Sequence, residues 1–270
     1  MILNETFELL KTKYSEQFKT TTIKRINIGV MFTAVQLSSG YCGVASTDLG
    51  MVTCCTKNRK KDFGEFSPGK ISGQKLMDLF SFNDGSKILD VVKLAALNAV
   101  SAELIEKSNY KIIADKDPID LVDLNSNKTV CIVGAFHTYM KNISETSAKL
   151  IVLELNEDAI PDEYKKYYVH SSKASTVFPD SDVIVITGST LVNNTLDELL
   201  NIIPPNKKVI IVGPTASIIP DILFQKGINI IGSTRILDAD KVFHIISEGG
   251  AGYHLFHNGA QKICLLNESK

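Results

Sequence analysis

The chain has 270 residues, enough for one large domain or two ordinary ones. Hydrophobic residues make up 44% and charged residues 22%, so there is enough apolar material for packed cores and a disordered chain is excluded. Twenty-nine basic residues stand against 30 acidic ones, a net charge of −1 that argues against a nucleic-acid partner, and no apolar run approaches the ~18 residues of a membrane-inserted helix.

The first residues, Met1-Ile2-Leu3-Asn4-Glu5, lack the basic and apolar regions of a secretory signal. The cysteines, Cys42, Cys54, Cys55, Cys131 and Cys264, are odd in number and contain no CxxC pair. Both features lead to the expectation of reduced thiols in a cytoplasmic protein.

In chain order, Leu3, Phe7, Leu10 and Tyr14 recur at helical spacing and predict an amphipathic helix over 3–18. Ile26, Ile28, Val30, Phe32 and Ala34 alternate as one half-buried strand would. Ser38-Ser39-Gly40 reads as a turn into a returning strand over 41–46. Residues 57–75 are polar, basic and glycine-containing and read as a long loop, with Lys57, Arg59 and Lys70 available to an anion. A strong helix follows over 87–107.

From about residue 110 short Val/Ile/Leu runs alternate with helical patterns. Strands are expected over 129–133, 150–153, 183–187, 209–212 and 228–231, and helices over 196–203 and 218–225. Asn258-Gly259, between 252–257 and 261–266, predicts a closing hairpin. The expected fold class is therefore α/β: an α+β domain over 1–110, then a Rossmann-like, doubly wound parallel sheet over 111–270.

Open parallel sheets bind ligands beyond the carboxyl ends of their strands. Here those ends carry Gly134 and His137, Glu154, Thr187 and Ser189, Gly213 and Thr215, and Arg235 with Asp238. Glycines admit a ligand to the backbone and hydroxyls can bond it, while His137 could act as acid, base or metal ligand. Arg235 could bind an anion and Asp238 cap a helix. Gly134-Ala135-Phe136 lacks the later glycines of a dinucleotide fingerprint, so ordinary NAD binding is disfavoured. Glu154, 20 residues after Gly134, keeps a nucleoside such as S-adenosylmethionine as a cofactor reading.

Soft-metal constellations are absent from the visible spacings. Cys54 and Cys55 would face opposite ways on a strand, as would His254 and His257. A tightly held structural zinc is not expected, since such a site needs four converging ligands.

The arrangement resembles the family described as putative heavy-metal chelation proteins. The resemblance covers nearly the whole chain and is carried by the Leu94-Ala95-Ala96-Leu97-Asn98-Ala99 helix, Lys128-Thr129-Val130-Cys131-Ile132-Val133-Gly134, Val185-Ile186-Thr187-Gly188-Ser189-Thr190, Val212-Gly213-Pro214-Thr215 and the stretch from Pro220 to Asp238. It implies an enolase N-terminal-like domain ahead of the Rossmann-like one. It also implies a ligand in the cleft where they meet, with Asn98 as a buried polar contributor. Two functional readings follow: a binding protein for a metal ion or metal-chelating small molecule, and a small-molecule enzyme with a nucleoside cofactor. Neither needs nucleic acid or membrane insertion, and homo-oligomerisation is left open.

Overall fold

The computed structural model describes residues 1–47, 64–82, 85–124 and 128–268. Cys54, Cys55, Lys57 and Arg59 lie outside the described residues, whereas Lys70 sits in an exposed turn.

The N-terminal part contains helices α1 (Ile2–Lys13) and α2 (Ser15–Thr20), strands β1 (Ile23–Ile28), β2 (Phe32–Leu37) and β3 (Cys42–Ser46), then α3 (Leu76–Ser81) and α4 (Lys87–Glu106). The single helix expected over 3–18 breaks at Tyr14, whose backbone leaves the helical region at φ −135°. The single strand expected over 26–34 is instead a hairpin, with β1 antiparallel to β2. Its turn falls at Gly29, where a Cβ would lie 2.4 Å from the Ile246 carbonyl oxygen. A glycine packed against a distant helix thus interrupts an alternation that continues on either side of it.

The remainder is β4 (Lys111–Ala114), β5 (Thr129–Val133), α5 (His137–Ser144), β6 (Lys149–Glu154), β7 (Tyr168–His170), α6 (Ala174–Val177), β8 (Val183–Thr187), α7 (Leu196–Ile202), β9 (Lys208–Val212), α8 (Pro220–Gln225), β10 (Ile230–Ile236), α9 (Ala239–Ser247), α10 (Gly252–His257) and β11 (Ala260–Leu266). Among the described residues the large sheet has the order β4-β11-β10-β9-β8-β5-β6-β7. From β10 to β7 the pairs are parallel, six strands rather than the five expected, and β11 enters antiparallel beside β10. The closing hairpin is not formed: residues 252–257 are helical, and only the return strand β11 is present.

Alternation along the central strands sends side chains to two cores. Val130 and Ile132 of β5, with Val183 and Val185 of β8, pack with Tyr139, Met140 and Ile143 of α5. Cys131, Val133, Ile184 and Ile186 face the other way, into a core shared with α1 and α4. Both faces are covered, which is why these strands read as continuous apolar runs.

The small sheet is likewise enclosed. Val35 and Ala45 turn toward α4, while Ala34 and Val44 pack on Val242, Phe243 and Ile246 of α9 and on Leu255 of α10. Arg25 reinforces the second contact, ion-pairing with Asp240 at 2.5 Å and lying 4.1 Å from the Phe243 ring centre. Helix α1 is tied across the molecule by Lys13 to Asp221 at 2.7 Å and by Lys226 to Glu5 at 3.0 Å.

Strand β3 and helix α4 pack backbone against backbone. A Cβ on Gly43 would stand 2.2 Å from the Ala99 nitrogen and 2.3 Å from the Ala95 carbonyl oxygen, both backbone atoms that cannot yield. Gly43→Ala is therefore expected to cost about 3 kcal/mol or more. Urea unfolding of the purified variant checks this, and an unchanged midpoint would contradict the packing.

Candidate functional site

Counted from β5, the parallel strands run third, second, first, fourth, fifth, sixth across the sheet, so the chain reverses direction between β5 and β8. Crossovers leave these neighbours toward opposite sides and open a crevice at their carboxyl ends. A cleft of about 800 Å³ lies there. Val133, Gly134, Ala135 and Phe136 line it after β5; Leu153, Glu154 and Leu155 line it at the end of β6. His170, Ser171, Ser172, Ala174 and Ser175 follow β7, and Thr187, Ser189, Thr190, Asn193 and Thr195 follow β8. Glu198, Leu199 and Ile202 of α7 close the far wall.

Its polar groups are held locally. The Gly134 amide donates to the Leu153 carbonyl at 2.9 Å, and the Phe136 amide donates to the Gly134 carbonyl at 3.0 Å. Gly134 has φ +108°, and a Cβ there would meet the Thr187 methyl at 3.0 Å, so only glycine makes this turn without strain. Thr187 Oγ1 accepts the Ser189 amide at 3.2 Å, and the Thr190 hydroxyl donates to the Thr187 carbonyl at 2.6 Å. Glu154 Oε1 accepts the amides of Leu155 and Asn156 at 2.7 and 3.2 Å. His170 Nδ1 lies 2.9 Å from the Ser172 hydroxyl and 3.3 Å from the Ser172 amide.

Four residues expected from sequence therefore come together: Gly134, Glu154, Thr187 and Ser189. The others go elsewhere. His137 opens α5 with an exposed side chain edge-on to Tyr164, 5.7 Å between ring centres, and does not line the cleft. Arg235 donates to Gln261 Oε1 at 3.2 Å across the β10–β11 pair. Asp238 caps α9 by accepting the Lys241 amide at 3.1 Å, and that bond holds its carboxyl below the usual range.

Asn98, Gly213 and Thr215 lie at a closed seam between the small sheet, α4 and the large sheet. Asn98, 1% exposed, donates from Nδ2 to the carbonyls of Val44 at 2.7 Å and Thr215 at 3.1 Å. Thr215 Oγ1 in turn accepts the Ser46 amide at 2.9 Å. Gly213, at φ +125°, makes the turn out of β9 that brings Thr215 there. The expected coincidence of seam and strand-end crevice is not met among the described residues, since no residue before Val133 lines the cleft. The nearest link is the Ser46 hydroxyl, 3.4 Å from that of Ser189.

Several lining residues escaped the sequence. His170 and the serines after it follow β7, a three-residue strand too short to show a pattern. Asn193 and Thr195 flank Asn194, whose φ of +59° turns the chain, and Glu198 follows in α7. The signal that could have found them is Thr195-Leu196-Asp197-Glu198, hydroxyl and acids opening an apolar run.

The described residues do not fit a bare soft-metal ion. No group of three or more His, Cys, Asp or Glu converges among them. Cys42, Cys131 and Cys264 sit on three different strands, and burial pushes each thiol up to about 12, away from the thiolate that binds metal. His254 and His257 share a helix, but His254 Nδ1 accepts the Ala251 amide and His257 Nδ1 meets the Tyr253 carbonyl. No helix among the described residues is long and apolar enough to cross a membrane.

Two outcomes follow. Asn98→Ala and Thr215→Val should each lower unfolding stability by about 1–3 kcal/mol, since each strips buried backbone groups of a partner, whereas His137→Ala should leave it unchanged. Urea titrations check the three variants. The buried thiols also set a pH dependence. Their folded pKa values lie near 12 against an ordinary 9.0, so the unfolded chain releases these protons first. Stability should fall as the pH rises from 9 toward 12. In a Cys54→Ser, Cys55→Ser background, a disulfide reagent should modify the native protein only as it unfolds.

Comparison with known proteins places this architecture. Residues 117–265 match the family model DUF364 and residues 11–101 the model DUF4213, each described as "Putative heavy-metal chelation". An uncharacterised protein of Methanocaldococcus jannaschii is 28% identical over 176 residues, which span 62% of this chain and 63% of that protein. A DUF364-family protein of unknown function from Pyrococcus horikoshii superposes with a TM-score of 0.76 at 21% identity, covering 98% of this chain and all of the other. One from Desulfitobacterium hafniense gives 0.70 at 17% identity, covering 97% and 98%. At those identities the two structures show the fold alone, a small antiparallel sheet followed by a larger, mostly parallel one. The first family model by itself matches more than half of the chain, and the protein belongs to the family described as putative heavy-metal chelation.

Proposed function

We propose that the protein binds a small organic molecule in the switch-point cleft, and that its part in heavy-metal chelation is to hold a metal-chelating molecule or its metal complex. The observation that carries this reading is the cleft itself. Its volume of about 800 Å³ lies in the range of small-molecule sites, and it combines apolar walls with a few fixed hydroxyl, amide, imidazole and carboxylate groups. The donor chemistry supports the same reading from the other side. Among the described residues, the thiols are neutral, buried and on separate strands, and do not offer a soft ion the charge and convergence it needs. An organic chelator brings its own ligands, and then the protein needs only shape and hydrogen bonds.

Ser175 lines the cleft from α6 with an exposed side chain, so Ser175→Trp fills the space without disturbing a core. Wild type and variant would be purified from metal-supplemented cells and denatured, and the released metals and organic molecules measured. Wild type is expected to release an organic molecule in at least the molar amount of any metal. The variant should release neither and keep its melting temperature. About one equivalent of metal per chain, free of any organic molecule and equal in both proteins, would contradict the reading.

A further inference from the structure

We infer that the cleft takes a ribonucleoside without phosphate, neutral or positively charged, whose ribose diol is held by Glu154. This rests on the cleft being the ligand site, but not on whether a metal travels with the ligand.

The diol follows from where Glu154 stands and how it is held. It ends β6, the second strand of a sheet with the classical dinucleotide-binding order, 20 residues after the glycine that ends the first. An acid in that position reads ribose hydroxyls because an ionised carboxylate only accepts, and a vicinal diol presents two donors side by side. Here Oε1 is fixed by two backbone amides at 2.7 and 3.2 Å, while Oε2 accepts from no described residue. The carboxylate is oriented in advance and keeps acceptor capacity for a ligand.

The exclusion of phosphate follows from the neighbouring turn. Dinucleotide sites cradle the pyrophosphate on free amides of the glycine loop. In this chain the amides of Gly134 and Phe136 are already spent on the Leu153 and Gly134 carbonyls. The Phe136 side chain fills the place a second glycine would leave open, stacked on Tyr139 with 5.4 Å between ring centres. Among the described residues no lysine or arginine lines the cleft, and a second carboxylate, Glu198, does. Among the described residues a phosphate here would face two carboxylates and only neutral donors, whereas a cationic group would be attracted.

A base finds its surface in the apolar lining. Leu155, next to Glu154, is 67% exposed, and Ile202 across the cleft is 43% exposed. Both are large hydrophobic side chains left open at the mouth of the cleft, and a planar ring lying between them would remove that area from water.

The test titrates wild type, Glu154→Gln and Ser175→Trp with adenosine, guanosine, cytidine and uridine. It then repeats the best of these as its 2′-deoxy form and 5′-monophosphate, with S-adenosylmethionine as the cationic probe. Calorimetry gives affinity and thermal unfolding gives stability. One ribonucleoside should bind wild type, with its 2′-deoxy form and its monophosphate each weaker by about tenfold. Glu154→Gln should lose a similar factor at unchanged melting temperature, and Ser175→Trp should lose binding. A monophosphate binding as well as its nucleoside, no preference for the 2′-hydroxyl, or no nucleoside binding at all would overturn the inference. If nucleosides fail while Ser175→Trp still loses the co-purifying molecule, the cleft reading stands and only the ligand class falls. If that variant loses nothing, both fall.

Discussion

Helix α4 is the constraint on which the rest of the molecule depends. One side of it receives the backbone of β3 at Gly43, so close that no side chain fits between them. Its Asn98 carries one amide nitrogen to carbonyls on β3 and on the turn after β9, joining the small sheet to the large one through a single buried group. A side-chain amide with two donors can bridge backbones that never align. That is what the seam requires, because Val44 lies in the small sheet and Thr215 in the turn after β9, which share no ladder. The Thr215 hydroxyl then closes the ring back to Ser46. With the seam fixed this way, the segment from Gly188 to Thr195 is held between it and the cleft, and Ser189 stands where both can be felt.

Much of this was legible from residues alone, and the exceptions have physical causes. The core strands were visible because each is buried on both faces and therefore apolar without interruption. Strand β7 was not, because three residues carry no period, and with it went His170 and the serines of the cleft. The dipeptide Asn258-Gly259 was read as a hairpin turn, yet it stops a helix. Asn258 leaves α10 at φ −135°, and Gly259 follows at φ +92° with the Asp238 carbonyl 2.7 Å from where a Cβ would be. Both uses need a residue that tolerates positive φ, so the dipeptide alone cannot tell them apart. Glu154, Thr187, Ser189 and Gly134 were found together because sheet topology fixes where strand ends meet. Asn98 and Thr215 are expected at a ligand site, and the structure packs them into a closed seam, a difference that no local sequence pattern carries.

Among the described residues the thiols are structural. Cys131 lies in the middle of β5 and Cys264 in the middle of β11, each within a packed core. Their thiols serve as small apolar side chains there, and burial keeps them protonated. The cleft, by contrast, is wide, mixed in character and built on strand ends that the core supports.

The way α9 and α10 close over the outer face of the small sheet has a consequence for how the protein is made. Among the described residues, Ala34, Val44 and Phe32 pack in a cluster with Val242, Phe243, Ile246 and Leu255, about 200 residues further along the chain. On the ribosome, where residues emerge at about 5–20 per second, the first sheet must therefore wait with one apolar face uncovered for some ten seconds or more. During that interval it is a candidate client for a chaperone. The last turns of helix to be synthesised are what complete the first strands, so the beginning of the chain is finished only when its end arrives.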